Sequence, residues 1–253
     1  MASTNVPSLR YFVALAILAC LGAGGHGPGE TPSHPSQQGT TKNEISEISS
    51  DRVQDWESYN RATAGNDPED DLIDTLGKYP TRKGSHYQAI DLGAGGGRDT
   101  LAIAKKGWNV LAVDVTPKSL EKIEKDSIRL SGHVTTKLAS FQGMKLGGGS
   151  ADLVNASYSL PFVSNEAFPS VWKKIVSALK PGGRFVGTFF GPKDTWAKTK
   201  TGMNFHDQAS VKKLVRDSGL EVESIDEDEY DDGSFGARDR KHWDVITLVA
   251  RKP

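Results

Sequence analysis

The chain has 253 residues, 36 % hydrophobic and 25 % charged, the balance of a soluble globular protein with one sizeable domain plus extras. Its 31 basic residues stand against 32 acidic ones, a net charge of −1, so no basic field points to nucleic acid or an anionic membrane. The one cysteine, Cys20, excludes an internal disulfide and a cysteine-based metal site; the six histidines include no HExxH-type pair, so no metal is expected.

In chain order, residues 1–25 are expected to be a signal peptide or lipoprotein-type leader. The apolar run "YFVALAILACLGAG" follows Arg10 and has the length of a signal h-region, short for a membrane span. "ILAC" ends on Cys20, where lipoprotein signals are cut and acylated. That reading makes the protein exported, or tethered to a membrane through its N-terminus only; a misplaced start codon would leave it cytoplasmic. Residues 26–43, rich in Gly, Pro, Ser and Gln, read as a disordered linker.

Residues 44–253 read as one domain. "EISEISSDRVQDWESYNRA" spaces Ile45, Ile48, Val53, Trp56 and Tyr59 near helical periodicity, and a short helix is predicted around 72–78. Strands are predicted at 87–92, 108–114, 134–141, 151–157 and 183–190, alternating with helices at 98–106, 118–130 and 168–179. A helix at 207–218 and strands at 220–226 and 242–251 complete the chain, with the acidic run "DEDEYDD" (226–232) placed at a solvated hairpin tip. Repeated βα units dictate an α/β fold, a doubly wound, mostly parallel seven-stranded sheet. Its last two strands have no helical pattern between them and form an antiparallel edge hairpin.

The chemistry concentrates in "YQAIDLGAGGGRDTLAIAKKGWNVLAVDVTP", where four of the five residues after Leu92 are glycine. The first strand ends at Asp91 and Leu92, so Gly93, Gly95, Gly96 and Gly97 form the turn into a helix, where a bare backbone lets a ligand come close. Asp114 ends the next strand about 20 residues on, where a carboxylate accepts hydrogen bonds from both hydroxyls of a ribose. A nicotinamide dinucleotide would use a similar turn. Against it, the glycines fall as G-x-G-x-G, with Arg98 where the dinucleotide fingerprint wants a small residue. Asp91 would also repel a pyrophosphate, yet it suits the cationic end of an amino acid.

These residues together resemble the class I S-adenosylmethionine-dependent methyltransferases, from about Trp56 to the C-terminus. "DLGAGGG" is similar to the first motif of that family, "VDV" to its acidic second motif, "ADLVNASYSLPF" to its fourth-strand motif and "LKPGGRF" to its approach to the fifth strand. More narrowly, "WESY", "SLPFV", "FFGPKDTWA" and "KHWDVITLVARK" resemble the small-molecule branch of tellurite-resistance and thiopurine-type enzymes. The resemblance implies S-adenosyl-L-methionine as cofactor and a small-molecule methyl acceptor such as a thiol or chalcogen oxyanion. It places Asp91, Gly93, Gly95 and Gly97 on the methionine and ribose side, Asp114 on the ribose, Val115 on the adenine, and Ser157 with Tyr158 beneath the methyl group. Where relatives carry an acid after the third strand, this chain reads "LASFQGM", leaving Ser140, Gln142 or backbone to meet the adenine amino group.

Other assignments stay open at this stage. Trp56 and Tyr59, three apart on one helix face, read either as a lid over the pocket or as core. Tyr158, His206 and His242 are candidate catalytic groups and Trp243 a candidate substrate contact, each against the plainer reading of packing or an ordinary hydrogen bond. Methyl transfer to oxygen or nitrogen of a larger metabolite, and a tethered adenosyl-binding protein without turnover, are the alternatives in function.

Overall fold

The computed structural model describes residues 50–81, 85–232 and 241–253. The expected leader and linker, Cys20, Ile45 and Ile48 lie outside these residues. The domain opens with α1 (Ser50–Thr63) and α2 (Asp70–Gly77). Five strand units follow: β1 (Gln88–Leu92), α3 (Arg98–Lys105), β2 (Asn109–Asp114), α4 (Pro117–Ser127), β3 (Val134–Leu138), β4 (Ala151–Ala156), α5 (Phe168–Ala178) and β5 (Leu179–Phe190). The chain closes with α6 (Thr195–Thr199), α7 (Gln208–Asp217), β6 (Glu221–Asp232) and β7 (Lys241–Arg251).

The seven strands form one sheet in the order β3-β2-β1-β4-β5-β7-β6. β1 to β5 pair in parallel, and β7 is inserted antiparallel between β5 and β6. This is the predicted α/β sheet with its antiparallel edge pair. Side-chain alternation assigns the two faces. Val154, Phe185 and Phe189 pack with Phe168, Trp172 and Ile175 of α5 and Val211 of α7. Their strand neighbours Leu153 and Val186 instead join Leu72 and Leu76 of α2 and Ile103 of α3. β4, central and covered on both faces, is buried along its whole length, so it reads as an unbroken apolar run except for Asp152 and Asn155.

The structure departs from the sequence reading in several places, β5 beginning at Leu179 rather than 183 among them. β3 stops at Leu138 rather than 141, freeing residues 139–142 to turn over the end of the sheet. The helix α6 was not predicted; it is too short for a periodic signal, and Asp194 caps it by accepting from Trp196 N at 2.8 Å. The acidic run 226–232 lies inside β6, paired residue by residue with β7 (Asp228 with Val245, Asp231 with His242), and not at a hairpin tip. A strand with one unpaired edge tolerates such charge, which discourages edge-to-edge association.

Candidate active site

The order in which strands are added reverses between the parallel neighbours β1 and β4: β2 and β3 extend the sheet on one side of them, β5 and its neighbours on the other. At the carboxyl ends of strands flanking such a reversal the loops part and leave a crevice. Here it is a cavity of about 320 Å³, lined by α1, the glycine turn, Asp114 and Val115, residues 139–142, residues 157–159 and Lys200–Met203.

The turn begins where Gly93 N and Ala94 N both donate to Val113 O, at 2.8 and 3.1 Å, tying the end of β1 to β2. Gly93, Gly95 and Gly97 have φ of 74°, 52° and 90°, a region that disfavours any side chain. A Cβ at Gly93 would lie 2.5 Å from Ser159 Cβ, and one at Gly96 would lie 2.5 Å from the backbone oxygen of Asn60. The glycines thus make room for the protein's own α1 and β4 loop; the close approach anticipated from a ligand is in large part an approach of neighbouring backbone.

Asp114 is 8 % exposed and borders the cavity. Its Oδ2 accepts from Gly95 N at 2.8 Å, while Oδ1 accepts from Thr116 N at 2.9 Å and Thr116 Oγ1 at 2.5 Å. Burial raises its pKa, opposed by those hydrogen bonds. A carboxylate offers about four lone-pair sites, so acceptor capacity remains for a ligand hydroxyl.

Asp91, 2 % exposed at the end of β1, also lines the cavity. Thr100 Oγ1 donates to its Oδ2 at 2.5 Å and Asn155 Nδ2 to its Oδ1 at 2.8 Å. The same Asn155 nitrogen reaches Asp99 Oδ2 at 3.2 Å, and Ser157 Oγ donates to Asn155 Oδ1 at 3.0 Å. Arg98 balances this acidic floor, with Nε 2.9 Å from Asp99 and an Nη 2.8 Å from Glu69. Burial first, and then the charge of Asp99, push the Asp91 pKa up to about 7.

The opposite wall is aromatic. Trp56 stands edge-on to Tyr59 at 5.8 Å and to Phe162 at 4.7 Å between ring centres, and all three line the cavity. Tyr158 lines it too, with φ of 50°, the one positive value among the described residues other than glycine. Strain of that kind persists only where the surroundings hold it, and it gathers at functional sites.

The chain has counterparts among known proteins. Residues 89–183 match the family model described as a methyltransferase domain. The curated relative phosphoethanolamine N-methyltransferase 1 of Triticum aestivum is 30 % identical over 96 residues, 37 % of this chain and 19 % of that protein, so the match spans about a fifth of its length. TehB from Haemophilus influenzae superposes with a TM-score of 0.61 at 17 % identity, covering 78 % of this chain and 67 % of that one. A Burkholderia thailandensis 1,6-didemethyltoxoflavin-N1-methyltransferase, solved with S-adenosylhomocysteine, superposes at 0.52 with 19 % identity, covering 76 % and 77 %. The chain carries a class I methyltransferase fold.

Within that methyltransferase fold, the structure brings together Asp91, Gly93, Gly95, Asp114, Val115, Ser157, Tyr158, Trp56 and Tyr59 around one cavity. Gly97 stands just behind it, where a Cβ would meet Ile123 Cγ1 at 2.7 Å. Ser140 and Gln142 line the cavity beside Val115 and Phe141. Three more expected residues, like Gly97, are not on its lining. The ring of His206 packs against Phe168 at 4.8 Å and Phe189 at 5.6 Å, and burial lowers its pKa. His242 faces the edge strand, with Nδ1 2.8 Å from Asp231. Trp243 is 1 % exposed and packs behind the aromatic wall, 5.5 Å from Phe190 and 5.2 Å from Trp196. Alternation along β7 explains the pair: consecutive residues point to opposite faces, and neither direction leads to the cavity. Sequence reasoning missed Asn60, Asp99, Phe162 and the Lys200–Met203 segment. Asn155, a polar residue inside an apolar strand, was the one legible signal.

Proposed function

We propose that this protein transfers the methyl group of S-adenosyl-L-methionine to a small-molecule acceptor. The observation that carries the reading is the pairing of two buried carboxylates, Asp91 and Asp114, across one glycine turn at the sheet's switch point. A ligand with a cationic amino-acid end and a ribose diol fits that pair, and a pyrophosphate does not. Bound there, the cofactor would supply an electrophilic methyl carbon on a sulfonium; a nucleophile's lone pair would bond to that carbon as the C–S bond breaks and S-adenosylhomocysteine leaves as the neutral thioether. The chain's own work is to hold and to exclude. Asp114 accepts from the ribose, Asp91 neutralises the amine, Val115 and Phe141 flank the adenine, and Ser140 or Gln142 meets its amino group. Trp56, Tyr59 and Phe162 keep water from the reacting atoms.

For the acceptor we infer a soft nucleophile, a thiol or chalcogen oxyanion. No histidine lines the cavity among the described residues, and such nucleophiles need no strong base. Tyr158, on the cavity lining in its strained conformation, would orient the acceptor. His206 and His242 have no part in this mechanism. The test incubates the full chain and S-adenosylmethionine with thiols, selenite, tellurite, phenols and amines, and measures S-adenosylhomocysteine release. Turnover with thiols or chalcogen oxyanions is the expected result. Turnover with phenols or amines alone would overturn the acceptor class. Tight S-adenosylhomocysteine binding with no turnover of any acceptor would make this a binding protein.

A further inference from the structure

Asn60 belongs to no motif in the sequence, yet it is the point at which α1 meets both halves of the cofactor cradle. Its side chain is 4 % exposed and borders the cavity. Nδ2 donates to Thr116 Oγ1 at 3.0 Å and to Ser119 Oγ at 3.1 Å, reaching the first turn of α4. Its backbone oxygen fills the space that a Cβ at Gly96 would need, and its Oδ1 lies 3.1 Å from the Cβ position of Gly95.

The hydrogen bonds run in one direction. The Thr116 hydroxyl has one proton, and it goes to Asp114 Oδ1. That hydroxyl therefore meets Asn60 as an acceptor, and only a donor at position 60 completes the chain. We infer that Asn60 is a positioning residue, which fixes the Thr116 hydroxyl on Asp114 and so aims the carboxylate that grips the ribose. Because the donor sits on α1, the seating of that helix and the affinity for the cofactor are one equilibrium. Lys118 of α4, 2.8 Å from Glu57 of α1, adds a more exposed tie between the same two helices. The inference rests on the proposed ribose role of Asp114.

The experiment measures S-adenosylhomocysteine binding to the full chain by calorimetry, in variants that separate relay from bulk. Asn60→Asp keeps the shape but turns the donor into an acceptor competing for the Thr116 proton. Thr116→Val removes the hydroxyl at nearly constant volume. Each is expected to raise Kd about tenfold, the scale of one hydrogen bond to a charged group. The double variant should be no more than about twofold weaker than the poorer single one, because both break the same relay. Thr116→Ser, which keeps the hydroxyl, should restore most of the affinity lost in Thr116→Val. A role of side-chain bulk alone predicts no such rescue. With a competent acceptor, KM for S-adenosylmethionine should rise while kcat changes far less.

Wild-type affinity in Asn60→Asp and Thr116→Val, alongside weakened binding in Asp114→Ala, would overturn this inference alone. Additive losses, or a Thr116→Ser variant as weak as Thr116→Val, would do the same. Unchanged affinity in Asp114→Ala would remove the ribose assignment and the relay with it. Should Asn60→Asp fail to fold, Asn60→Ala with the two Thr116 variants decides by the same criteria.

Discussion

Asp91 sits in the folded protein with its pKa pushed up to about 7, first by burial and then by the neighbouring charge of Asp99. The unfolded chain releases this proton near the ordinary value of 3.8, so between about 4 and 7 the folded state holds a proton that the unfolded state has lost. The contribution of this group to stability is therefore present at low pH and is lost as pH rises through about 7. A cationic ligand end reverses the preference by favouring the carboxylate. Affinity for S-adenosylhomocysteine should thus climb as pH rises from about 5.5 to 7 and level off above, and Asp91→Asn should flatten the profile. Calorimetric titrations across that range check this, and a flat wild-type profile would mean the amine lies elsewhere. The residues that carry this argument divide in legibility. Asp91 and Asp114 stand out because each acid ends an apolar run, Asp91 directly before the glycines. Asn60 and Asp99 stand among ordinary polar neighbours, and only folding shows what they touch.

The element that matters most to the site is α1. Its last turn lies on the glycine turn so closely that a Cβ on Gly96 would fall 2.5 Å from Asn60 O and 2.8 Å from Ala64 Cβ. Gly96 does not share the positive φ of its neighbours, so substitution there tests packing rather than backbone strain. Gly96→Ala is expected to destabilise the fold by about 1–3 kcal/mol through overpacking, read by urea denaturation, and to weaken cofactor binding by displacing α1. Unchanged stability would show that α1 rests on the turn without being held by it. Helical spacing of Val53, Trp56 and Tyr59 announced a helix, but not which surface it covers. The strands were more legible than their ends: β1, β2 and β4 lie where hydrophobic runs predict them, whereas β6 runs on through Asp226–Asp232 because pairing with β7 outweighs the poor strand propensity of acidic residues.

At the scale of the whole molecule, a buried ion pair joins the sheet to the segment that leads to the cavity wall. Lys241 opens β7 and is 2 % exposed; its ammonium pairs with Asp194, the cap of α6, and lies 4.0 Å from the Trp243 ring and 4.6 Å from the Trp196 ring. Burial pulls the Lys241 pKa down to about 8 even though the Asp194 charge opposes it, so desolvation outweighs the partner. Past α6 the chain reaches Lys200–Met203 on the cavity wall. Lys241→Met leaves Asp194 as a buried charge without its cation, and should cost about 3–5 kcal/mol of stability. Adding Asp194→Asn should recover part of that loss, as denaturation of the single and double variants would show. A double variant as unstable as the sum of the two singles would mean that the pair is not coupled.

Hydrophobic periodicity and the carboxylate–glycine pattern, both local properties, were enough to specify a doubly wound sheet and one wall of its cavity, because strand alternation and turn conformation are decided within a few residues. Which side chains share the cavity was settled by register and topology across the sheet. His206, His242 and Trp243 are excluded because consecutive β7 residues and the approach to α7 point away from it. Asn60 is included because α1 folds back across more than thirty residues onto the glycine turn, a contact that depends on the position of every element between.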